Sequence, residues 1–228
     1  QYELALPKKI GVFNIMTGQE AISTEPIPQE WLIEGVIPKK FNSCIAGTTG
    51  SKKSYWAMQL GMSLANGEKS FCGNKIHSDG LKVLYCDTEI GKEETHRRFR
   101  NISNKMDWTK QGSDNLSMMS KDGSSVDIWD DVHEFIRHWM PKVIIFDSLY
   151  NTTTVGDFSR SDQMSKVTNE LTVFKEKYDL TALSVAHFNK GLGDMGLDIN
   201  RMSGSSVLQN WVEWQMLMVT TNEENFNL

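Results

Sequence analysis

Apolar and polar positions follow two different periods along this chain. From residue 31 onward, short apolar runs alternate with longer segments in which apolar residues recur every three or four positions. Short apolar runs are typical of buried strands, and the longer spacing is typical of helices that bury one face. The predicted strands are residues 42–46, 81–86, 116–119, 142–147, 180–186 and 211–219.

The helical segments lie between these strands. The predicted helices are residues 53–65, 93–102, 124–139 and 163–178. In the first of them Trp56, Leu60 and Leu64 form one apolar stripe, and Gly67 is a helix stop. Strands that alternate with helices predict an α/β fold with a mostly parallel, twisted β-sheet flanked by helices.

The first 30 residues differ from the rest of the chain. They are polar and contain Pro7, Pro26 and Pro28, so we expect residues 1–30 to be an N-terminal arm or linker. Residues 31–228 then form one α/β domain, a usual size for such a domain. The chain begins at Gln1 without a methionine, and we expect it to be part of a longer protein.

Composition and charge narrow the class of protein. Hydrophobic residues make up 39% and charged residues 23%, as in an ordinary globular domain. A net charge of −5 argues against a globally basic nucleic-acid binder, although a local basic loop stays open. The three cysteines lack CxxC spacing, and no apolar run reaches the ~20 residues of a membrane span. We expect a cytoplasmic protein without a membrane partner.

The strongest chemical signal is a Gly-rich turn between the first long strand and the first long helix. It consists of Gly47, Thr48, Thr49, Gly50, Ser51, Lys52, Lys53 and Ser54. This is the place and spacing of a P-loop (Walker A) motif, whose backbone amides hold nucleotide phosphates. Lys53 would reach the β- and γ-phosphates, and the Ser54 hydroxyl would bind Mg²⁺.

Lys52 departs from the motif, which has glycine before the lysine. If the backbone there needs a positive φ, Lys52 carries strain that glycine avoids. If the backbone is near-helical, Lys52 is tolerated and adds positive charge beside the phosphates. The sequence leaves both conformations open.

Carboxylates at strand ends are the second half of the expected site. Asp147 follows an apolar run in the Walker B pattern and would hold Mg²⁺ directly or through water. Hydrolysis also needs a group that activates water, and Glu89 is our candidate base. Asp87 is its competitor, and the alternative is that both residues only cap the following helix.

Several segments resemble the RepA-like hexameric helicases of the RecA/DnaB class. The matching segments are WLIEGVIP at 31–38, YCDTE at 85–89, FDSL at 146–149, VAHFNKG at 185–191 and RMSGSSVL at 201–208. The resemblance covers residues 31–219 and implies a RecA-like P-loop NTPase that hydrolyses ATP with Mg²⁺ between subunits of a homo-oligomer. It favours Glu89 over Asp87 as the base and makes His187 the γ-phosphate sensor.

The resemblance also implies an arginine that acts on the neighbouring subunit's nucleotide. The family places this arginine directly before a glycine, where this chain has Ser203. Arg201 is the nearest candidate, and Lys190 is the alternative.

Two loops face single-stranded DNA in the family. Here they would be residues 151–162, with Arg160, and 189–203, with Lys190 and Arg201. A ring repeats each weak basic contact, so few cations per loop suffice. The alternative is that both are ordinary solvated loops.

Two functions remain. The first is an ATP-dependent DNA helicase or translocase in DNA replication, working as a hexamer with a fused or associated primase. The second is a RecA/RadA-like recombination ATPase or a regulatory nucleotide switch with little dependence on DNA.

Overall fold

The computed structural model describes residues 7–121, 127–152, 161–188, 206–222 and 225–227, with the backbone alone for residues 161, 220–222 and 225–227. The chain divides into two compact units, Gln1–Glu30 and Trp31–Leu228. Within the described residues, no helix is both long enough and apolar enough to cross a membrane.

The N-terminal unit is small, and its described residues form a hairpin and a short helix. Strands β1 (Lys9–Ile10) and β2 (Phe13–Asn14) form an antiparallel hairpin, and helix α1 (Gly18–Ser23) follows. Thr17 and Glu20 cap the start of α1 reciprocally: the Thr17 hydroxyl accepts the Glu20 N–H at 3.1 Å, and the Glu20 carboxylate accepts the Thr17 N–H at 3.0 Å. None of the described residues 7–30 is buried, so local hydrogen bonds, rather than packing, define this unit.

The second unit contains the remaining elements. Its strands are β3 (Trp31–Ile33), β4 (Ile37–Pro38), β5 (Ser43–Gly47), β6 (Ser70–Phe71), β7 (Asn74–Lys75), β8 (Val83–Asp87), β9 (Leu116–Ser120), β10 (Val143–Asp147), β11 (Thr181–His187), β12 (Trp214–Asn222) and β13 (Asn225–Asn227). Its helices are α2 (Lys53–Asn66), α3 (Lys92–Ser103), α4 (Lys110–Asn115), α5 (Trp129–Trp139), α6 (Ser161–Tyr178) and α7 (Ser206–Trp211), with a 3₁₀ turn at Leu149–Asn151.

One seven-stranded sheet organises this unit. Its order is β13-β12-β5-β11-β10-β8-β9, and the six strands from β12 to β9 run parallel. Among the described strands of this sheet, β13 alone is antiparallel to its neighbour. The antiparallel pairs β3–β4 and β6–β7 are separate hairpins. The predicted α/β fold with a mostly parallel sheet is confirmed.

Alternate residues of the central strands enter two different cores. Tyr85 and Ile145 lie in the cluster that includes the buried face of α2. Leu84, Ile144 and Phe146 lie in the opposite cluster, with buried residues of α5 and α6. Side chains two apart share a face of a strand, so both faces of the sheet are covered. The parallel arrangement brings the carboxyl ends of β5, β8, β10 and β11 to one edge.

Two predicted boundaries were wrong. The helix predicted at residues 124–139 begins only at Trp129, whose N–H donates to the Asp127 carboxylate at 3.3 Å in a local turn; residues 122–126 lie outside the described chain. The final strand begins at Trp214 rather than at residue 211, because Trp211 ends α7 and its indole N–H donates to Thr172 at 2.9 Å.

Candidate nucleotide-binding site

The Gly-rich turn leaves the carboxyl end of β5 and enters α2 at Lys53, as the sequence predicts. Gly47 ends the strand where it pairs with β12, and a Cβ atom added there would lie 2.1 Å from the Met218 carbonyl oxygen. Gly50 has a φ of +84°, a conformation that favours glycine. These two glycines fix the path of the turn for different reasons, one steric and one conformational.

Lys53 is buried inside this turn. Its ammonium donates to the carbonyl oxygens of Gly47 at 3.1 Å and Thr48 at 2.8 Å, and to the Ser51 hydroxyl at 3.4 Å. Burial lowers the pKa of Lys53, and the charges of Asp147 and Glu89 oppose that shift. The ammonium is therefore bonded to its own turn and lies within electrostatic range of the two carboxylates that the sequence singles out.

Lys52 adopts the left-handed conformation, with φ 64° and ψ 21°. Of the two alternatives that the sequence leaves open, this is the strained one, which costs a non-glycine residue about 1 kcal/mol. The side chain is exposed and its ammonium lies 6.0 Å from the centre of the Tyr55 ring. Lys52 thus adds positive charge to the mouth of the turn at a conformational cost.

Asp147 ends β10 next to this turn and is buried. Burial raises the pKa of its carboxyl, and hydrogen bonding by the Tyr85 and Ser54 hydroxyls opposes that rise. Oδ2 accepts the Tyr85 hydroxyl at 2.5 Å, whereas Oδ1 is buried without a hydrogen-bond partner in the described part of the chain. A buried carboxylate oxygen without a partner, next to a serine hydroxyl, is a donor set that suits Mg²⁺. The residues present fit the predicted ion.

Asp87 and Glu89 differ sharply in their surroundings. The Asp87 carboxylate is buried and accepts four hydrogen bonds, from the N–H groups of Glu89 and Ile90 and from the hydroxyls of Thr95 and Ser120, at 2.7 to 3.3 Å. These bonds hold the turn between β8 and α3. Asp87 therefore acts as a structural cap, and all four bonds that it accepts come from the chain itself.

Glu89 points into the site instead. One carboxylate oxygen lies 3.3 Å from Nε2 of His187, at the end of β11, and the carboxylate is partly exposed. The hydrogen bond from His187 is the largest of the effects that lower the pKa of Glu89, and the charge of Lys53 adds to it. A pKa below its ordinary value keeps Glu89 ionised at neutral pH.

Glu89 and His187 line an open cleft of about 410 Å³. The other residues that line it are Thr49, Ser148, Tyr150, Asn151 and Phe188. Thr49 belongs to the Gly-rich turn and Ser148 follows Asp147, so the cleft joins the predicted phosphate turn to the predicted base and sensor. The ring of Tyr150 lies 5.9 Å from that of His187, measured between centroids.

Three predicted residues fall outside the described chain: Arg160, Lys190 and Arg201. Their roles stay predictions. Two residues near the site carry no signal in the sequence, Tyr85 and Tyr150. Each is an aromatic residue in or after an apolar run, which predicts a core position and no chemistry.

Comparisons with known proteins agree with this geometry. A family model described as an AAA domain matches residues 14–193. No curated protein matches the sequence. Among solved structures, a KaiC-like protein from the hyperthermophilic archaeon Pyrococcus horikoshii OT3 is 14% identical, with a TM-score of 0.54 over 87% of this chain and 85% of that one.

A second similar structure is described as that of a DnaB-like replicative helicase and its interactions with primase. It is 14% identical with a TM-score of 0.57, and the match covers 82% of this chain and 51% of the helicase. This chain thus spans about half the length of that helicase. At such identity the two structures establish the fold, and the family match covers most of the chain. The chain belongs to the AAA domain family and has the fold of the RecA-like P-loop ATPases of the DnaB/RecA class.

Proposed function

We propose that this chain is the motor domain of an ATP-dependent DNA helicase or translocase in DNA replication, and that it hydrolyses ATP at interfaces between its own copies. The observation that carries the proposal is the Glu89–His187 pair beside the Gly-rich turn, at the mouth of the cleft. A P-loop that only bound nucleotide would need neither an ionised carboxylate nor a histidine in that place.

Nucleotide binding rests on the turn and the helix that it opens. The amides of residues 47–54 and the N-terminus of α2 would hold the phosphates, and the ammonium of Lys53 would exchange its bonds with Gly47 and Thr48 for phosphate oxygens. Ser54 and Asp147 would hold Mg²⁺, which when bound neutralises charge on the β- and γ-phosphate oxygens.

Hydrolysis would use Glu89 and His187. The ionised Glu89 carboxylate would accept a hydrogen bond from the attacking water and orient it toward the γ-phosphate. His187 would hold Glu89 through Nε2, and its position at the end of β11 would let it report γ-phosphate to the segment that follows.

Action at a subunit interface explains a missing group. The described residues that line the cleft include no arginine, whereas phosphoryl transfer commonly uses one to stabilise the transition state. We propose that Arg201 of a neighbouring copy supplies it, with Lys190 as the alternative, in a ring that is a hexamer. Arg160 and Lys190 would contact single-stranded DNA, and a primase would be fused or associated.

A nucleotide switch or a recombination ATPase is the second candidate. Lys52 carries backbone strain, and Lys53 is bonded to its own turn. Both features depart from a site in which the lysine is free to bind phosphate, and we infer that they are compatible with slow turnover. The similarity to a KaiC-like protein is also compatible with this candidate.

The deciding experiment is the steady-state ATPase rate of the full-length protein with and without single-stranded DNA, with Lys53→Ala as the control. Stimulation by DNA that Lys53→Ala abolishes supports the motor. An ATPase rate that is the same with and without DNA favours the nucleotide switch. No turnover with nucleotide still bound rejects hydrolysis at this site.

A further inference from the structure

The carboxylate of Asp147 is held by a residue of the neighbouring strand. Tyr85 lies in β8, whose register places Asp87 opposite Asp147 and Tyr85 opposite Ile145 of β10. The Tyr85 hydroxyl donates to Oδ2 of Asp147 at 2.5 Å. This bond reaches diagonally across two residues of register, a distance within reach of aromatic and other long side chains.

Both ends of the Tyr85 side chain are fixed. The residue is completely buried, and its ring meets that of Phe99 on α3 edge to face, with centroids 5.2 Å apart. The ring is therefore held by packing, and the hydroxyl is held by its hydrogen bond to Asp147. Together these two contacts define the orientation of the carboxylate.

The two oxygens of Asp147 are therefore not equivalent. Oδ2 is occupied by Tyr85, and Oδ1 is buried without a hydrogen-bond partner among the described residues. A carboxylate that could rotate would expose either oxygen and would lose rotational freedom on binding a cation. Groups that orient a metal ligand commonly change metal affinity 10- to 100-fold.

We propose that Tyr85 is a positioning residue for Mg²⁺: its hydroxyl fixes the Asp147 carboxylate so that Oδ1 is presented to the cation beside Ser54. This inference rests on the proposed function of the site, since it concerns the ion that accompanies the nucleotide. Tyr85 would thus have a role in the nucleotide cycle although it is completely buried.

The test is the effect of Mg²⁺ on the binding of a fluorescent ADP analogue, measured with and without the ion. In Tyr85→Phe we expect binding without Mg²⁺ to be unchanged and the enhancement by Mg²⁺ to fall about 10-fold. The matched control is Tyr178→Phe, which removes a phenol hydroxyl that bonds His133 on α5 at 3.0 Å; its enhancement should equal that of the wild type. In an Asp147→Asn background, Tyr85→Phe should cause no further loss.

The outcomes separate the two proposals. If Mg²⁺ does not change the binding of ADP to the wild type, the proposed nucleotide site itself is rejected. If Mg²⁺ enhances ADP binding equally in the wild type and in Tyr85→Phe, only the proposed role of Tyr85 is overturned. If Tyr85→Phe fails to fold, 3-fluorotyrosine at position 85 keeps the ring and the hydroxyl. Its ¹⁹F signal should then shift when Mg²⁺ joins bound ADP, and an unchanged signal would overturn the proposal.

Discussion

Two carboxylates that are two residues apart, Asp87 and Glu89, differ in their hydrogen bonds and are therefore expected to differ in role. Asp87 accepts four hydrogen bonds and is buried, whereas Glu89 bonds one histidine at the mouth of a cleft. The sequence leaves a choice between them, and the proton acceptor for hydrolysis must have a lone pair that water can reach. Substitution should therefore affect stability at one position and turnover at the other.

Glu89→Gln should keep nucleotide affinity and folding stability while kcat falls by about 10²- to 10⁴-fold, the usual contribution of a general base. Asp87→Asn is the comparison: an amide cannot accept all four bonds, so the free energy of unfolding should fall by about 1–3 kcal/mol. ATPase assays and urea denaturation of both variants check this. Unchanged turnover in Glu89→Gln would reject Glu89 as the base.

The pH dependence of hydrolysis belongs to the same pair. His187 lowers the pKa of Glu89, so in the wild type the carboxylate stays ionised until the pH falls below the ordinary value of 4.5. In His187→Asn the lowering effect is lost while burial still raises the pKa, so the acid limb of kcat/KM should move to higher pH.

His138→Asn, which alters an exposed histidine on α5, should leave that limb in place. Circular dichroism at each pH separates loss of activity from unfolding. An acid limb that His187→Asn does not move would mean that the Glu89–His187 bond does not set the ionisation of the base.

Lys52 offers a test of backbone strain. Lys52→Gly should raise the free energy of unfolding by up to about 1 kcal/mol, because glycine adopts the left-handed conformation freely. Lys52→Ala removes the same charge but keeps a Cβ, so it should not stabilise the domain. Equal stabilisation by both variants in denaturant unfolding would attribute the effect to charge and not to strain.

At the scale of elements, the pairing of β5 with β12 fixes where the Gly-rich turn begins. Gly47→Ala would force a Cβ against the Met218 carbonyl of β12. We expect a loss of about 1–3 kcal/mol in the free energy of unfolding, as for other overpacked sites, and weaker nucleotide binding, because the strand that carries the turn must shift.

Gly61→Ala is the matched control within α2. A Cβ there would meet side-chain methyl groups and no backbone atom, Ile145 at 3.2 Å and Val83 at 3.4 Å, and alanine favours the helix over glycine by about 1 kcal/mol. It should be neutral or stabilising. Thermal unfolding and ADP titration of both variants decide the matter, and Gly47→Ala that binds ADP normally would contradict the prediction.

Elements with a continuous apolar run were predictable from the sequence, and contacts between distant elements were not. The strand predicted at residues 142–147 is Val143–Asp147 in the structure, since five buried residues in a row leave little choice. The Tyr85–Asp147 bond depends on β8 lying beside β10, although β9 and α5 come between them in the chain. The local spacing of apolar residues does not reveal the order of the strands in a sheet. Hairpins whose strands have only two residues, such as β6–β7, are too short to show such a spacing.

The conformation of Lys52 marks the same limit at one residue. The motif spacing located the turn, but it did not decide between a helical and a left-handed backbone at Lys52, which is left-handed in the structure. The Glu89–His187 pair was half predicted: both residues were named, but their contact depends on the ends of β8 and β11 meeting at one sheet edge.

At the scale of the whole molecule, the proposed ring makes each active site a shared structure. Glu89 and His187 would act on nucleotide bound by their own subunit, and Arg201 would act on that of the neighbour. Loss of such an arginine costs about 10³–10⁵ in kcat. Each of the variants Glu89→Gln and Arg201→Ala should therefore be inactive alone. Glu89→Gln would remove the base from the subunit that binds the nucleotide, and Arg201→Ala would remove the cation that acts on the neighbour's nucleotide.

Co-expression of the two inactive variants tests this arrangement directly. In a head-to-tail ring of randomly mixed subunits, about a quarter of the interfaces would combine an intact Glu89 with an intact Arg201. ATPase activity should return to about that fraction of the wild type, as in any heterologous assembly. If Lys190→Ala is also inactive alone, the same co-expression with Lys190→Ala in place of Arg201→Ala tests the alternative cation, because only a variant that lacks the shared group can be complemented. Activity that returns for neither pair would place the whole site within one subunit.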